Sequence, residues 1–266
     1  MQRIIDYDAA EPGTRGNGVG YPCIFVDSKT GTLFVAALWS RGNRFWHGSG
    51  PGLTPDETGQ LVIVKSDDDG PTWSKPVSIT PQVKDPAWKL CFQEPGSGIQ
   101  LSDGTLIFPT QFKGAGGIPH SCFISSIDHG TTWTISRAAI PGKQPTSESS
   151  IAEMGDGLLL LSMRDELNTG RRLWARWNWK GQLNEGQWSE PWSAVTDPTC
   201  MASLLHHPHD ELLLLKPQPR KEAGGSDDSF QYRRGQNLER RQGARPRPGN
   251  VFLHDRFARW PGRHPV

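Results

Sequence analysis

The chain has 266 residues, 35% of them hydrophobic, with 30 glycines, 22 prolines and 11 tryptophans, a composition of many short strands and turns around one substantial core or two small ones. The net charge of +1 is uneven: residues 1–215 carry 17 Lys+Arg against 23 Asp+Glu, and residues 216–266 carry 12 against 5. That basic stretch holds no recognisable nucleic-acid module, no apolar run approaches membrane-spanning length, and Met1-Gln2-Arg3 lacks the charged-then-apolar pattern of a signal peptide.

In chain order, Gly31-Thr32-Leu33-Phe34-Val35 predicts a turn followed by a buried strand. Gln60 to Lys65 predicts a second strand, which runs into Ser66-Asp67-Asp68-Asp69-Gly70-Pro71-Thr72-Trp73, of the pattern S-x-D-x-G-x-T-W. The turn-and-strand signal returns at Gly104-Thr105-Leu106-Ile107-Phe108. His120 to Ser125 then leads into Ser126-Ile127-Asp128-His129-Gly130-Thr131-Thr132-Trp133, the same pattern 60 residues later. Gly157 to Leu161 and Arg172 to Trp179 repeat the pair. A worn third copy ends at Trp188, where Trp188-Ser189-Glu190-Pro191 echoes Trp73-Ser74-Lys75-Pro76. A last apolar run, Leu212 to Leu215, follows His209-Asp210, so the later buried strands recur every 53 or 54 residues.

The boxed turns read as structural. Asp and Ser side chains bond turn backbone, Gly takes a special dihedral, and Trp packs under a neighbouring strand. Turns of this kind alternating with strands apolar on both faces predict an all-β fold, a β-propeller rather than a sandwich. Helical periodicity is absent. Cys23, Cys91, Cys122 and Cys200 sit in separate segments with no CxxC pair and read as buried free thiols.

One hairpin carries the candidate site. If it is centred on Asp156 in Gly155-Asp156-Gly157, residues whose numbers sum to 312 pair, which sets Glu148 opposite Arg164 at the open end, with Cβ atoms about 5 Å apart. The same offset of seven from the turn glycine places Gln111 where Arg164 stands in the next blade. Asp165-Glu166 and Arg171-Arg172 read as a solvated rim.

At these residues the chain resembles a bacterial exo-sialidase. The likeness runs over about residues 15 to 215, through Gly50-Pro51-Gly52-Leu53-Thr54, Thr58-Gly59-Gln60-Leu61-Val62, Val83-Lys84-Asp85-Pro86-Ala87-Trp88, Ser102 to Pro109 and Cys200-Met201-Ala202-Ser203-Leu204. The most specific part is Glu148 together with Ser162-Met163-Arg164. The resemblance implies a sialidase-type six-bladed propeller, about four blades of it present, that removes terminal sialic acid from glycoconjugates with retention. A tyrosine would be the nucleophile, a glutamate its base, an aspartate the acid/base, and three arginines would clamp the sugar carboxylate. It makes Glu148 the base and Arg164 the second clamp arginine. Gln111 and Gln93 would line the pocket and Trp46 would wall the N-acetyl group. No metal or organic cofactor is implied, and sialylated glycans are the implied partners. Family members are often secreted or periplasmic.

Both ends depart from the family pattern. The first clamp arginine and the acid/base aspartate have no counterpart in Met1 to Gly20, where Asp6, Asp8 and Arg15 match poorly in context. After Leu215 the strand pattern gives way to arginine, proline and glycine. Residues 216–266 therefore form a second region, either a disordered tail or out of frame. In the second case, one choice of synonymous codons for Gln231 to Glu239, read one base later, spells Ser-Ile-Asp-Glu-Gly-Arg-Thr-Trp-Ser, another boxed turn. Tyr232 is then not the nucleophile. The expectation is an exo-α-sialidase-like hydrolase impaired by missing residues, with a non-catalytic glycan-binding propeller or a non-functional fragment as the alternatives.

Overall fold

The computed structural model describes residues 2–7, 17–154, 158–178, 183–207 and 211–215. The first blade is β1 (Gly18–Val26), β2 (Leu33–Ser40), β3 (Gln60–Ser66) and β4 (Val77–Ser78), joined in that order as antiparallel neighbours. One helical turn, α1 (Thr80–Val83), follows with a proline in its first turn, a departure from the all-strand expectation too short to leave a periodic signal. The second blade holds β5 (Leu90–Gln93), β6 (Gly96–Ser97), β7 (Ile99–Gln100), β8 (Leu106–Lys113), β9 (Pro119–Ser126) and β10 (Thr134–Ile135). Here β5 and β7 both pair with β8, while β6 crosses over to run parallel to β1. The third is β11 (Thr146–Glu153), β12 (Leu159–Asp165), β13 (Arg171–Asn178), β14 (Gln187–Trp188) and β15 (Trp192–Thr196), with β14 and β15 both on β13. A hairpin of β16 (Ser203–His207) and β17 (Glu211–Leu215) comes last.

The core lies between sheets, as stacked propeller blades require. Phe25, Phe34 and Ile63 of the first blade pack with Cys91, Phe108, Ile124 and Trp133 of the second. Ile107 and Phe123 pack instead with Ile151, Leu161 and Trp177 of the third, and Leu160 and Trp174 meet Leu204 and Leu214 of the last hairpin. Successive residues of one strand thus face opposite neighbours, Phe108 one blade and Ile107 the next. That is why the buried strands are apolar at nearly every position rather than alternating.

The boxed turns form as their residue types demand. In the first, Ser66 Oγ donates to Asp68 Oδ1 at 2.8 Å and accepts from Gly70 N–H at 2.9 Å, while Thr72 donates its N–H and hydroxyl to Asp68. The second copies this from Ser126 to Thr132, with matching distances of 2.8, 2.8, 2.9 and 2.6 Å. In both, the glycine and the residue before it take positive φ, 60° and 100° at Asp69 and Gly70, 54° and 76° at His129 and Gly130. The worn copy keeps its exit: Ser189 exchanges bonds with Arg176 as Ser74 does with Lys65.

These turns, with Asp27 to Thr32 and Leu101 to Thr105, lie at one end of the blades. The loop from Arg41 to Gly59, the start of β5, the end of β8 and the β11/β12 opening lie at the other, linked by Thr58 Oγ1 to Lys89 O at 2.9 Å and Lys113 Nζ to Trp46 O at 3.1 Å. Cys23, Cys91 and Cys122 are buried free thiols, whereas Cys200 is only half-buried. Residues 216–266, including Tyr232, and the turn at Asp156 lie outside the described residues.

Candidate functional site on the third blade

From Ser149–Met163 to Glu153–Leu159 the β11/β12 hairpin keeps the pairing sum of 312. Beyond it the register slips and Ser147, not Glu148, faces Arg164. Glu148 is the extra residue of a β-bulge. This corrects the expected direct pairing, and the physical reason is that a bulge re-aims one side chain without moving the rest of the ladder. The two side chains still meet: Arg164 Nη1 donates to Glu148 Oε2 at 2.8 Å. Both are partly open to solvent, 29% for Arg164 and 21% for Glu148.

Arg164 has a second acid. Its Nε lies 3.1 Å from Glu166 Oε1, which also accepts from the Ser147 hydroxyl. Burial alone would lower the Arg164 pKa, but the Glu148 hydrogen bond and the Glu166 and Glu148 charges outweigh it and hold the guanidinium above its ordinary value. The expected solvated rim is therefore corrected at three of its four residues. Glu166 is tied to the site, and Asp165 is buried and accepts from Gln144, the Leu167 N–H and Thr169. Arg172 is fully buried, 3.0 Å from the equally buried Asp197. Arg171 alone is exposed.

The three outlying candidates sit differently. Gln111 is buried, and its Nε2 donates to Glu94 Oε2 at 2.9 Å. Gln93, fully buried, donates to the Tyr21 carbonyl. Trp46 is half-buried, edge-on to Phe92 at 6.3 Å, with Lys113 Nζ 4.7 Å from its ring centre. The structure thus brings Glu148 and Arg164 into contact and Gln111 near them through Glu94, while Gln93 and Trp46 belong to the junction of the first two blades.

Glu94 is the residue that sequence reasoning missed. It has no exposed surface. Burial raises its pKa well above the ordinary carboxylate range and the Glu148 charge adds to this, with hydrogen bonds from Gln111 and Ser149 opposing. The signal was an acid placed two residues after the apolar run Leu90-Cys91-Phe92, where a glutamate has no ordinary reason to follow a buried strand.

Residues 8–183 match the BNR repeat-like domain family. A sialidase of Bacteroides fragilis (strain YCH46) is 43% identical over 192 residues, 71% of this chain and 34% of that protein. A sialidase of Micromonospora viridifaciens is 34% identical over 161 residues, 58% of this chain and 24% of that protein. Among solved structures, Hadza microbial sialidase Hz136 superposes with a TM-score of 0.71 at 39% identity, covering 80% of this chain and 43% of that one. The chain thus spans less than half the length of each of these relatives. The intramolecular trans-sialidase of Ruminococcus gnavus, at 17% identity and a TM-score of 0.63, shares the fold. With its boxed turns, its blade-by-blade core and these matches, the chain belongs to the BNR repeat-like family, among the relatives of the bacterial exo-α-sialidases.

Proposed function

We propose that this chain carries the glutamate–arginine part of an exo-α-sialidase site acting on terminal sialic acid of glycoconjugates. The observation that carries the reading is the Glu148–Arg164 contact of 2.8 Å at the open end of the third blade, in a hairpin whose bulge lifts Glu148 out of the ladder. Arg164 supplies a planar guanidinium for the sugar carboxylate. Glu148 beside it serves as the base that takes the proton of a tyrosine hydroxyl as that oxygen bonds to the anomeric carbon and the glycosidic C–O bond breaks, the departing oxygen leaving protonated by an acid. Before attack the phenol is neutral and does not repel the substrate's own carboxylate.

A second reading, glycan binding without turnover, is favoured by the two tyrosines among the described residues. Tyr7 stacks on Trp39 at 3.9 Å, and burial pushes its pKa up to about 12. Tyr21 packs against Phe92. Both rings are engaged in packing contacts.

Full-length chain assayed with a fluorogenic aryl α-sialoside, and titrated in parallel with an unsaturated dehydro analogue of sialic acid, separates the readings. Turnover lost in Glu148→Gln supports the hydrolase. Analogue binding without turnover, lost in Arg164→Lys, supports the binding module. Neither turnover nor binding overturns both.

A further inference from the structure

We propose that Glu94 is a positioning residue of this site: as a neutral carboxylic acid seated between Gln111 and Ser149, it holds the Glu148 bulge against Arg164. Glu94 follows β5 and is fastened by its own N–H to the Pro109 carbonyl at 2.8 Å. Its Oε2 accepts from Gln111 Nε2 of β8 at 2.9 Å. On its other side stands Ser149 of β11, the residue immediately after Glu148, with its N–H and hydroxyl towards the carboxyl. One side chain thus spans the junction of the second and third blades, directly beneath the bulge.

The groups around it decide its protonation. Glu94 and Gln111 are buried to 0% and 2% exposure, and the bonding partners are an amide, a hydroxyl and an N–H, none of them a cation. The titratable groups facing it are Glu148 from β11, Cys23 from β1, Cys91 from β5 and Cys122 from β9, each neutral or negative. A lone buried carboxylate next to a second one takes up a proton rather than bear the desolvation. The heavy atoms agree. Glu94 Oε1 and Ser149 Oγ are both buried without a well-formed hydrogen bond. A carboxylate can only accept, whereas a carboxylic acid on Oε1 donates and lets the Ser149 oxygen accept. The neutral form also sets no second buried charge against the Glu148–Arg164 contact.

The positional claim stands without turnover; its consequence for catalysis rests on the sialidase reading above. The test compares the full chain with Glu94→Gln, which keeps the shape and a donor without a titrating proton, and Glu94→Met, which keeps the volume alone. The Arg164 Nη–H resonances at low temperature, identified by their loss in Arg164→Lys, report the Glu148 contact, which is made by Nη1. They are expected to stay in place in Glu94→Gln and to shift or broaden in Glu94→Met. Because the folded-state pKa is raised, the stability linked to this proton is complete below the unfolded value and is lost as pH rises towards the folded one. The melting temperature of the parent is therefore expected to fall relative to Glu94→Gln by several degrees between about pH 5 and pH 9. If Glu94→Met does not fold, that pH comparison alone decides. An unmoved Arg164 resonance in Glu94→Met, or melting curves that stay parallel across pH, overturns the proposal. Where turnover is present, kcat falls at least tenfold in Glu94→Met and survives in Glu94→Gln. Absence of turnover in every protein counts against the sialidase reading and leaves the resonance and melting results to judge Glu94.

Discussion

Arg164 divides its guanidinium between two acids, Glu148 at 2.8 Å and Glu166 at 3.1 Å, so in the proposed clamp a substrate carboxylate would compete with Glu166 rather than meet a free cation. A lysine at this position offers a point charge in place of the planar fork that the proposed clamp uses. In Arg164→Lys the loss of about 1.5–3 kcal/mol expected for a charge-assisted hydrogen bond corresponds to a drop in affinity for the sialic-acid analogue of about ten- to a hundredfold. The same substitution is expected to change unfolding free energy by less than about 1 kcal/mol, because the pair is partly solvated. Analogue titration and urea denaturation of one preparation check both, and a large stability loss with unchanged affinity would make the pair structural. The residues that the sequence hid are the buried charged ones. Nothing local separates Arg172, fully buried against Asp197, from exposed Arg171 beside it. Strand alternation turns one inward and the other outward, and which is which depends on the register with β15.

Repetition made the elements readable, because each boxed turn closes with its own side chains and needs no distant partner. Asp128 accepts from Ser126, from the Thr131 and Thr132 N–H groups and from the Thr132 hydroxyl. Burial alone would raise its pKa, but these donors outweigh it and hold it at about 2. Asp128→Ala strands several of those donors and is expected to lower the unfolding free energy by about 1–3 kcal/mol, measured by denaturant midpoint. Between elements, the Arg172–Asp197 pair joins β13 to the segment after β15 with both partners at 0% exposure. Removing one partner leaves the other charge buried, so Arg172→Ala is expected to lose about 3–5 kcal/mol. Replacing both with Met and Leu is expected to recover most of that loss, and a double variant as weak as the single one argues against the mechanism. The strands of the β11/β12 hairpin were legible from their turn glycine and apolar run. The bulge was not, because one inserted residue leaves the apolar pattern below it intact and shows only where Ser147 takes the place opposite Arg164. Gln111 falls on β8 as its offset from the turn glycine predicts, but the neighbouring blades that bury Gln111 and Gln93 belong to tertiary packing.

The blades are stitched at the boxed-turn end by polar contacts that cross the junctions, in addition to the apolar core between sheets. Lys29 Nζ reaches the Asp103 carbonyl at 2.7 Å, Lys65 Nζ reaches the Gly130 carbonyl at 3.0 Å, and Ser102 donates to Glu153 at 2.9 and 3.0 Å. Asp27 is the most heavily used of these groups. Its side chain is fully buried and meets His129 Nδ1 of the second blade's box at 2.6 Å, Gln100 Nε2 at 2.6 Å and the Lys29 N–H at 3.0 Å. Burial opposes its charge, yet these hydrogen bonds prevail and lower its pKa from 3.8 to about 2. A carboxylate whose folded pKa is depressed stabilises the fold above its unfolded value, and the contribution is lost as pH falls through the folded one. The parent is therefore expected to lose stability between about pH 4 and pH 2 by a component that Asp27→Asn lacks, since an amide keeps the size without titrating. At neutral pH the variant should be less stable by about 1–3 kcal/mol, the cost of exchanging charge-assisted bonds for neutral ones at a buried junction. Melting temperatures of the two proteins taken across that range settle it. A gap that narrows on acidification places the acid-sensitive contact between the first and second blades, and a constant gap removes Asp27 from that role.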